Sequence, residues 1–223
     1  MKKQNEINCL DSVKFDGSEK QLYFVNADLA SINQTPKFNL AVLPPFLRLL
    51  MVTDGTVTKS LEAYSWDPVT VDLQSQEYFK SKKTIKLLGN VSKEHLLVRE
   101  VLIRGSNGTI YASAKSYLRL ELLPKKISKQ LRKGRTNIGE AVRKSGLETY
   151  RELIDVGYED GGIFSSNQED GSKITNSELG QVVYRIYRIK FSYTSAILIT
   201  ERFPVNTYKE LARRAGSSLE GSL

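Results

Sequence analysis

Apolar residues that recur three or four positions apart predict helices in the first quarter of the chain. This spacing is present at 22–33 and at 45–52, and the second segment has a proline early, where its missing N–H costs little. Asp54 and Gly55 are expected to form a turn. Thr56 is then placed to cap a short helix that follows the turn.

Alternation of apolar and polar residues predicts strands from Val69 onward. Two pairs of such runs are separated only by short turns, and one of these turns contains an Asn-Gly pair that suits positive φ angles. The paired runs are 96–104 with 109–118 and 181–191 with 195–204, joined by turns at 105–108 and 192–194. Hairpins interrupted by helices predict an α+β fold, a single domain over 1–208 with a mainly antiparallel sheet and flanking helices.

Five segments have less regular patterns. The polar, lysine-rich stretch 78–92 is expected to be a loop, and 136–142 to be a turn that leads into a short helix. The pattern at 148–156 fits a helix and a strand equally well. Few apolar residues and many Gly, Ser, Asn and acidic residues predict a mobile loop or flap at 159–181. The segment 209–223 is expected to be a flexible tail.

Composition limits the chemistry that the chain can perform. Cys9 is the only cysteine among 223 residues, which excludes an internal disulfide and a thiolate metal site. His95 is the only histidine, which excludes a Ser-His-Asp triad and most zinc sites. We therefore expect no metal site, and any catalysis must use carboxylates, Lys, Arg, Tyr or backbone amides.

The longest apolar stretch, at 40–52, contains Pro44, Pro45 and Arg48 and is too interrupted to span a bilayer. The first residues lack the apolar core of a signal peptide. We expect no membrane insertion and a cytoplasmic location, or a plastid interior if the gene is organelle-encoded.

The net charge of +8 favours anionic partners. Basic residues collect at 80–86 and 125–135, and the second run coincides with a helix predicted from Pro124 to Gly134. Neither run has interleaved aromatic residues or a nucleic-acid-binding motif, so a solvated helix face is the better interpretation. We expect a small anionic metabolite as the partner and no nucleic acid.

Two charges interrupt apolar strand faces. Since side chains alternate along a strand, the residues that share a face are Leu97, Arg99, Val101 and Ile103 in one run and Ile197, Ile199, Glu201 and Phe203 in another. A buried lone charge is costly, so Arg99 and Glu201 each need a partner. They could form an ion pair that joins two hairpins, or they could lie at two ends of a ligand pocket, and the spacing leaves both open.

The segments around these charges resemble the chorismate lyases, also called 4-hydroxybenzoate synthases. Each motif is short, but all occur in the order and approximate spacing of that family, from about Leu50 to Tyr208. The segments are MVTDGTVTKSLE at 51–62, VREVLIR at 98–104, NIGE at 137–140, RIYR at 185–188 and ILITERF at 197–203.

The resemblance implies a chorismate-lyase-like fold and a carbon–oxygen lyase that converts chorismate to 4-hydroxybenzoate and pyruvate without cofactor or metal. In the family an arginine and two loop amides bind the ring carboxylate, which corresponds here to Arg99 and the amides of Val57 and Ile138. A glutamate contacts the para oxygen, which corresponds to Glu201. The resemblance implies that Glu201 orients the substrate and moves a proton as the C–O bond breaks.

The resemblance also implies a monomer and a product that serves quinone biosynthesis. One departure from the family is Ala114-Lys115, where some relatives have Gly-Arg. This leaves open whether the chain makes a second contact to a carboxylate of the substrate. Lys115 could substitute, although a solvent-facing strand residue is the better interpretation. The alternative function is a non-catalytic, aromatic-acid-binding effector domain, which the similar fold of some bacterial transcription regulators suggests.

Overall fold

The structure is a computed structural model that describes residues 40–80, 85–89, 94–134, 136–159 and 181–220, with side chains as far as 215. The predicted helix at 22–33 lies outside these residues. The predicted loop or flap does so as well, apart from its first and last residues. Within the part described, no helix is both long and apolar enough to cross a bilayer.

Six strands form one antiparallel sheet. They are β1 (Val69–Lys80), β2 (His95–Gly105), β3 (Ile110–Leu118), β4 (Thr149–Glu159), β5 (Val182–Phe191) and β6 (Thr194–Pro204). Their order across the sheet is β1-β2-β3-β6-β5-β4, so that the two predicted hairpins, β2–β3 and β5–β6, meet at the centre. This confirms the α+β fold with an antiparallel sheet.

Five helices accompany the sheet in the part of the chain that the structure describes. They are α1 (Pro45–Val52), α2 (Val57–Ser65), α3 (Lys125–Arg132), α4 (Ile138–Ser145) and α5 (Val205–Glu220). Three short 3₁₀ segments lie at Leu40–Val42, Lys86–Leu88 and Leu120–Leu122. Helices α1, α2 and α3 confirm the predicted helices, and α4 is the short helix expected after the turn, although it begins at Ile138, within 136–142. The basic residues of α3 are exposed, as expected for a solvated face.

The helices pack on one face of the sheet in two apolar clusters. The first joins α1, α2 and α5 to the strands through side chains that include Leu47, Leu61 and Phe203. The second joins α3 and α4 to the same face through side chains that include Leu131 and Ile197. Each cluster occupies one end of the face, and the candidate site lies between them.

Helix α5 corrects the prediction of a flexible tail at 209–223. Val205 and Tyr208 are buried in the first apolar cluster, and Leu211 packs against it. The Tyr208 hydroxyl donates to the carbonyl oxygen of Tyr111 at 2.9 Å. The basic and small residues that follow Lys209 concealed this helical spacing of apolar residues in the sequence.

Two strand predictions were incomplete. Strand β1 continues to Lys80, so the first residues of the expected loop at 78–92 pair with β2 instead. The ambiguous segment 148–156 belongs to strand β4, whose pairing with β5 shifts register between Leu153 and Asp155. Such a bulge interrupts the alternation of apolar and polar residues, which explains why the sequence did not distinguish strand from helix.

Two turn details also differ from expectation. In the β2–β3 turn only Gly108 has a positive φ, at 82°, and Asn107 does not share this conformation. Thr56 is the N-cap residue of α2, as predicted, but its side chain makes no capping hydrogen bond. The first-turn amides of α2 are therefore not occupied by this side chain.

Candidate functional site

A small cavity of about 80 Å³ lies on the helix-covered face of the sheet. The four residues singled out in the sequence, Val57, Arg99, Ile138 and Glu201, all line it. The sheet contributes most of the other lining side chains: Val101, Ile103, Ala114, Ser116, Tyr187 and Ile199. Residues from four distant stretches of chain therefore meet at one site.

Arg99 lies on β2, directly opposite Ser116 of β3, and only 3% of it is exposed. One terminal nitrogen, Nη1, donates to the carbonyl oxygen of Thr136 at 3.1 Å. Its Nε is buried and has no hydrogen-bond partner among the residues described. Burial lowers the pKa of Arg99, but a guanidinium stays protonated in proteins. Arg99 therefore lines the cavity as a charged residue whose hydrogen-bonding capacity is only partly used.

Glu201 is held on β6 by two donors from the neighbouring strand β5. Arg185 donates through Nε to Oε2 at 2.6 Å, and the Tyr187 hydroxyl donates to Oε1 at 3.1 Å. The possibility that Glu201 pairs with Arg99 is wrong, since the buried ion pair here is Arg185–Glu201. Each carboxylate oxygen retains a second lone pair for a ligand.

Arg185 is enclosed by acceptors and rings. Its Nη1 donates to the carbonyl oxygens of Leu50 and Thr53, and its guanidinium lies 4.9 Å from the centre of the Tyr187 ring. Burial by itself lowers the pKa of Arg185, but the nearby Glu201 raises it, and the net shift is upward. The pair is therefore charged, and its orientation is fixed by contacts with α1.

Tyr187 serves as the second donor to Glu201 and is itself buried. Burial raises the pKa of its phenol, and the negative charge of Glu201 raises it further. The phenol consequently remains protonated near neutral pH and can donate continuously to the carboxylate.

The first turns of α2 and α4 face the cavity from above the sheet. Val57 and Ile138 are the first residues of these helices, so their amide groups have no acceptor within the helix. A Cβ on Gly139 would lie 3.2 Å from the Thr56 methyl, which shows how closely the two helix starts approach each other. Two helix N-termini at one cavity favour a bound anion.

A larger groove of about 550 Å³ adjoins the small cavity. The two spaces share lining residues, namely Gly55, Thr56, Gly139, Arg151 and Tyr187. By size the groove falls within the range usual for ligand pockets, about 300–1,000 Å³, and the inner cavity lies below it. A ligand larger than the inner cavity would therefore extend into the groove.

Lys115 does not reach the site. It lies on the opposite face of the sheet, where its Nζ pairs with Glu100 Oε1 at 2.9 Å. Lys115 therefore does not take the place of an arginine in the pocket, and it lies half-buried in an ion pair on the other face.

A protein-family model described as "Chorismate pyruvate-lyase Rv2949c-like" matches residues 51–211, a span that contains every lining residue of the inner cavity. The chain belongs to this family. The resemblance drawn from the short motifs is therefore confirmed at the level of the family.

Two relatives illustrate the degree of similarity to the family. A chorismate pyruvate-lyase of Mycobacterium leprae (strain TN) is 32% identical over 111 residues, which cover 49% of this chain and 53% of the relative. A chorismate pyruvate-lyase of Mycobacterium tuberculosis (strain H37Rv) is 24% identical over 170 residues, which cover 74% of this chain and 82% of the relative. The chain thus matches about half the length of the first relative.

Solved structures with a similar fold include regulator domains. The effector domain of PhnF from Mycobacterium smegmatis has a TM-score of 0.49 and 11% identity, and the match covers 68% of this chain and 90% of that domain. A GntR-family transcriptional regulator from Bacillus cereus has a TM-score of 0.45 and 11% identity, and the match covers 62% and 93%. Similarity at this level supports no conclusion about what this chain binds.

Three site residues were not recognised as such in the sequence. Arg185 and Tyr187 were noted only as part of a motif, and Arg151 was not noted at all. The signal for the first two was their alternation on a strand that pairs with the strand of Glu201, since Arg185 lies directly opposite it. Arg151 gave no comparable signal because its strand was ambiguous.

Proposed function

We propose that this protein is a chorismate pyruvate-lyase that releases 4-hydroxybenzoate and pyruvate from chorismate. The observation that carries the proposal is a single cavity with the unused donor of Arg99 on one side and the anchored carboxylate of Glu201 on another. Membership in the chorismate pyruvate-lyase family supports the same substrate.

In this proposal the ring carboxylate binds between Arg99 and the two helix starts. The guanidinium offers a charge-assisted hydrogen bond through Nε, and the amides of Val57 and Ile138 add donors aligned with two helix dipoles. Because β2 and β6 are two strand spacings apart, about 10 Å, side chains that reach inward from them can bracket one aromatic ring. The para oxygen then lies at Glu201, which accepts its hydrogen bond.

The reaction balances without any other reactant. The ring carbon that bears the para hydroxyl loses its proton, and the C–H electron pair becomes the new ring double bond. The neighbouring C–O bond breaks, its electrons leave with the enolpyruvate, and a proton returned to the methylene carbon gives pyruvate. Glu201 orients the para hydroxyl beside the carbon that loses its proton and is the carboxylate available to handle that proton.

Aromatisation provides the driving force, so the protein's contribution is to hold the ring in a reactive and dry geometry. The fixed charges of Arg99, Arg185 and Glu201 are organised before the substrate arrives and need not reorganise during the reaction. We propose that no metal ion or cofactor takes part. A role in quinone biosynthesis and a monomeric state belong to the same proposal and are supported by the resemblance alone, and a cytoplasmic location is proposed from the sequence pattern.

The test is an assay of the purified chain with chorismate in the presence of a chelator. We expect 4-hydroxybenzoate and pyruvate to form in equal amounts. We also expect Glu201→Gln to reduce kcat by about 100-fold or more, the usual scale for a positioned acid or base. If the chain binds 4-hydroxybenzoate but never turns chorismate over, the effector-domain alternative replaces this proposal.

A further inference from the structure

Chorismate carries two carboxylates, and the site as proposed accounts for only one. The ring carboxylate binds at Arg99, whereas the enolpyruvyl side chain is attached next to the para carbon and ends in a second carboxylate. Lys115 was a candidate to bind this second carboxylate, but it lies on the other face of the sheet. Burial of the second carboxylate requires a cation that, unlike Arg185, is not already paired with Glu201.

The order of the strands places such a cation beyond Glu201. Arg99 is on β2, Glu201 on β6 and Arg151 on β4, and two strand spacings separate each of these strands from the next in that series. Arg151 is also offset along the strands, since it pairs with Ile189 of β5, four residues from Arg185, the partner of Glu201. In chorismate the hydroxyl is on the carbon para to the ring carboxylate and the enolpyruvyl ether is on the next ring carbon, so the side-chain carboxylate lies beside the para hydroxyl.

Arg151 also stands where the inner cavity opens into the larger groove, since it lines both spaces. The inner cavity alone is small, so an enolpyruvyl side chain has to extend past this residue. The positive charge of Arg151 acts on the Tyr187 phenol, which places it close to the group that donates to Glu201.

The guanidinium of Arg151 is held in place by backbone acceptors. Its Nη1 donates to the carbonyl oxygens of Asp54 and Gly55, in the turn before α2. These bonds leave Nε and Nη2 as further donors. Among the residues that the structure describes, no aspartate or glutamate forms a salt bridge with it.

We infer that Arg151 binds the carboxylate of the enolpyruvyl side chain and so selects the dicarboxylate substrate over the monocarboxylate product. The inference rests on the proposed function, since it assigns the substrate's second charge to a residue of the same site. It also gives the product a reason to leave, because 4-hydroxybenzoate lacks the group that Arg151 recognises.

The test compares Arg151→Met with the unchanged chain for two ligands, chorismate and 4-hydroxybenzoate. Loss of a charge-assisted bond should raise KM for chorismate by about 10- to 100-fold. The inhibition constant for 4-hydroxybenzoate should stay within about threefold, since the product makes no contact with Arg151. Arg151→Lys, which keeps the charge but not the fork of donors, should recover part of the loss in KM.

Arg143→Met is the matched control, because Arg143 lines the larger groove but not the inner cavity. Its KM for chorismate should stay within about threefold of the unchanged chain, and an equal loss would mean that a general positive potential is responsible. If Arg151→Met weakens both ligands equally, Arg151 only supports the turn before α2 and the inference is wrong.

A chain that does not turn chorismate over would overturn the proposed function but would still test this inference. In that case dissociation constants for chorismate and 4-hydroxybenzoate replace the kinetic constants. Selective weakening of chorismate binding by Arg151→Met supports the inference, and equal weakening or none contradicts it.

Discussion

The two faces of the sheet carry similar Arg–Glu pairs in different surroundings. On the helix-covered face, the side chains of Arg185 and Glu201 are 3% and 7% exposed. On the opposite face, those of Arg188 and Glu152 are 24% and 25% exposed. The pair on the opposite face also shares its carboxylate with Lys190.

The two ion pairs differ in the additional partners that each charge needs in order to be stable in the folded protein. The buried pair requires additional partners, and it has them in the Tyr187 hydroxyl and the carbonyl oxygens of α1. The partly exposed pair can rely on solvent, and the loss of one partner leaves a charge that water can reach. Burial therefore makes Arg185 indispensable to Glu201, whereas Arg188 contributes little to the fold.

The largest expected effect is on stability when the buried pair is broken. Arg185→Met leaves Glu201 buried and unpaired, and we expect the free energy of unfolding to fall by about 3–5 kcal/mol. Arg188→Met, the matched change on the opposite face, should lower it by less than about 1 kcal/mol. Urea denaturation of both variants measures the contrast, and equal losses would contradict this account of the two faces.

Arg99→Met should separate binding from stability. Arg99→Met removes a buried charge whose Nε has no partner among the residues described. The free energy of unfolding should therefore change by no more than about 1 kcal/mol. Affinity for 4-hydroxybenzoate should fall by about 10- to 100-fold, as expected for a lost charge-assisted hydrogen bond. Calorimetric titration measures the affinity. A variant that is much less stable but binds 4-hydroxybenzoate normally would show that Arg99 is a structural residue and not a ligand-binding one.

A fall in pH should weaken the Arg188–Glu152 ion pair over a defined pH range. Hydrogen bonding to Arg188 lowers the pKa of Glu152 to about 2, from a usual value near 4.5. Because the pKa of Glu152 is lower in the folded state, ionised Glu152 contributes fully to the stability of the fold above about pH 4.5. This contribution is lost as the pH falls toward about 2. Glu152→Gln should therefore cost less than about 1 kcal/mol near neutral pH and nothing measurable near pH 2.

Denaturation at several pH values, with and without added salt, tests this expectation. Salt should reduce the effect of Glu152→Gln near neutral pH because the pair is partly exposed to solvent. A difference between variant and parent that grows as the pH falls would contradict the sign of the shift.

The smallest expected effect is that of Lys115→Met. Lys115 pairs with Glu100 on the face away from the cavity, so kcat and KM for chorismate should stay within about twofold. A larger change in KM would return Lys115 to the group of candidates for the second carboxylate.

Arg99 and Glu201 were singled out from strand alternation, whereas Val57 and Ile138 were implied only by the family resemblance. Alternation along a strand indicates which residues share a face, and that rule by itself identified Arg99 and Glu201 as charges on apolar faces. It does not indicate which strands are neighbours. The partner of Glu201 is Arg185 because β5 pairs with β6 in a particular register, and this depends on the turn at 192–194.

Tertiary contacts explain the remaining differences. Helix α5 is stabilised by the packing of Tyr208 against the sheet, which outweighs the polar composition after Lys209. The bulge in β4 hid a strand, and with it the position of Arg151 at the mouth of the inner cavity. Neither feature has a local signature that a single sequence displays.

A crystal structure of the protein with bound 4-hydroxybenzoate tests the central claim most directly. The account predicts the carboxylate of the ligand at Arg99 Nε and the amides of Val57 and Ile138, with the para oxygen at Glu201. It also predicts that Arg151 makes no contact with this product. A ligand bound in the reverse orientation, or bound only in the larger groove, would contradict the assignment of the site.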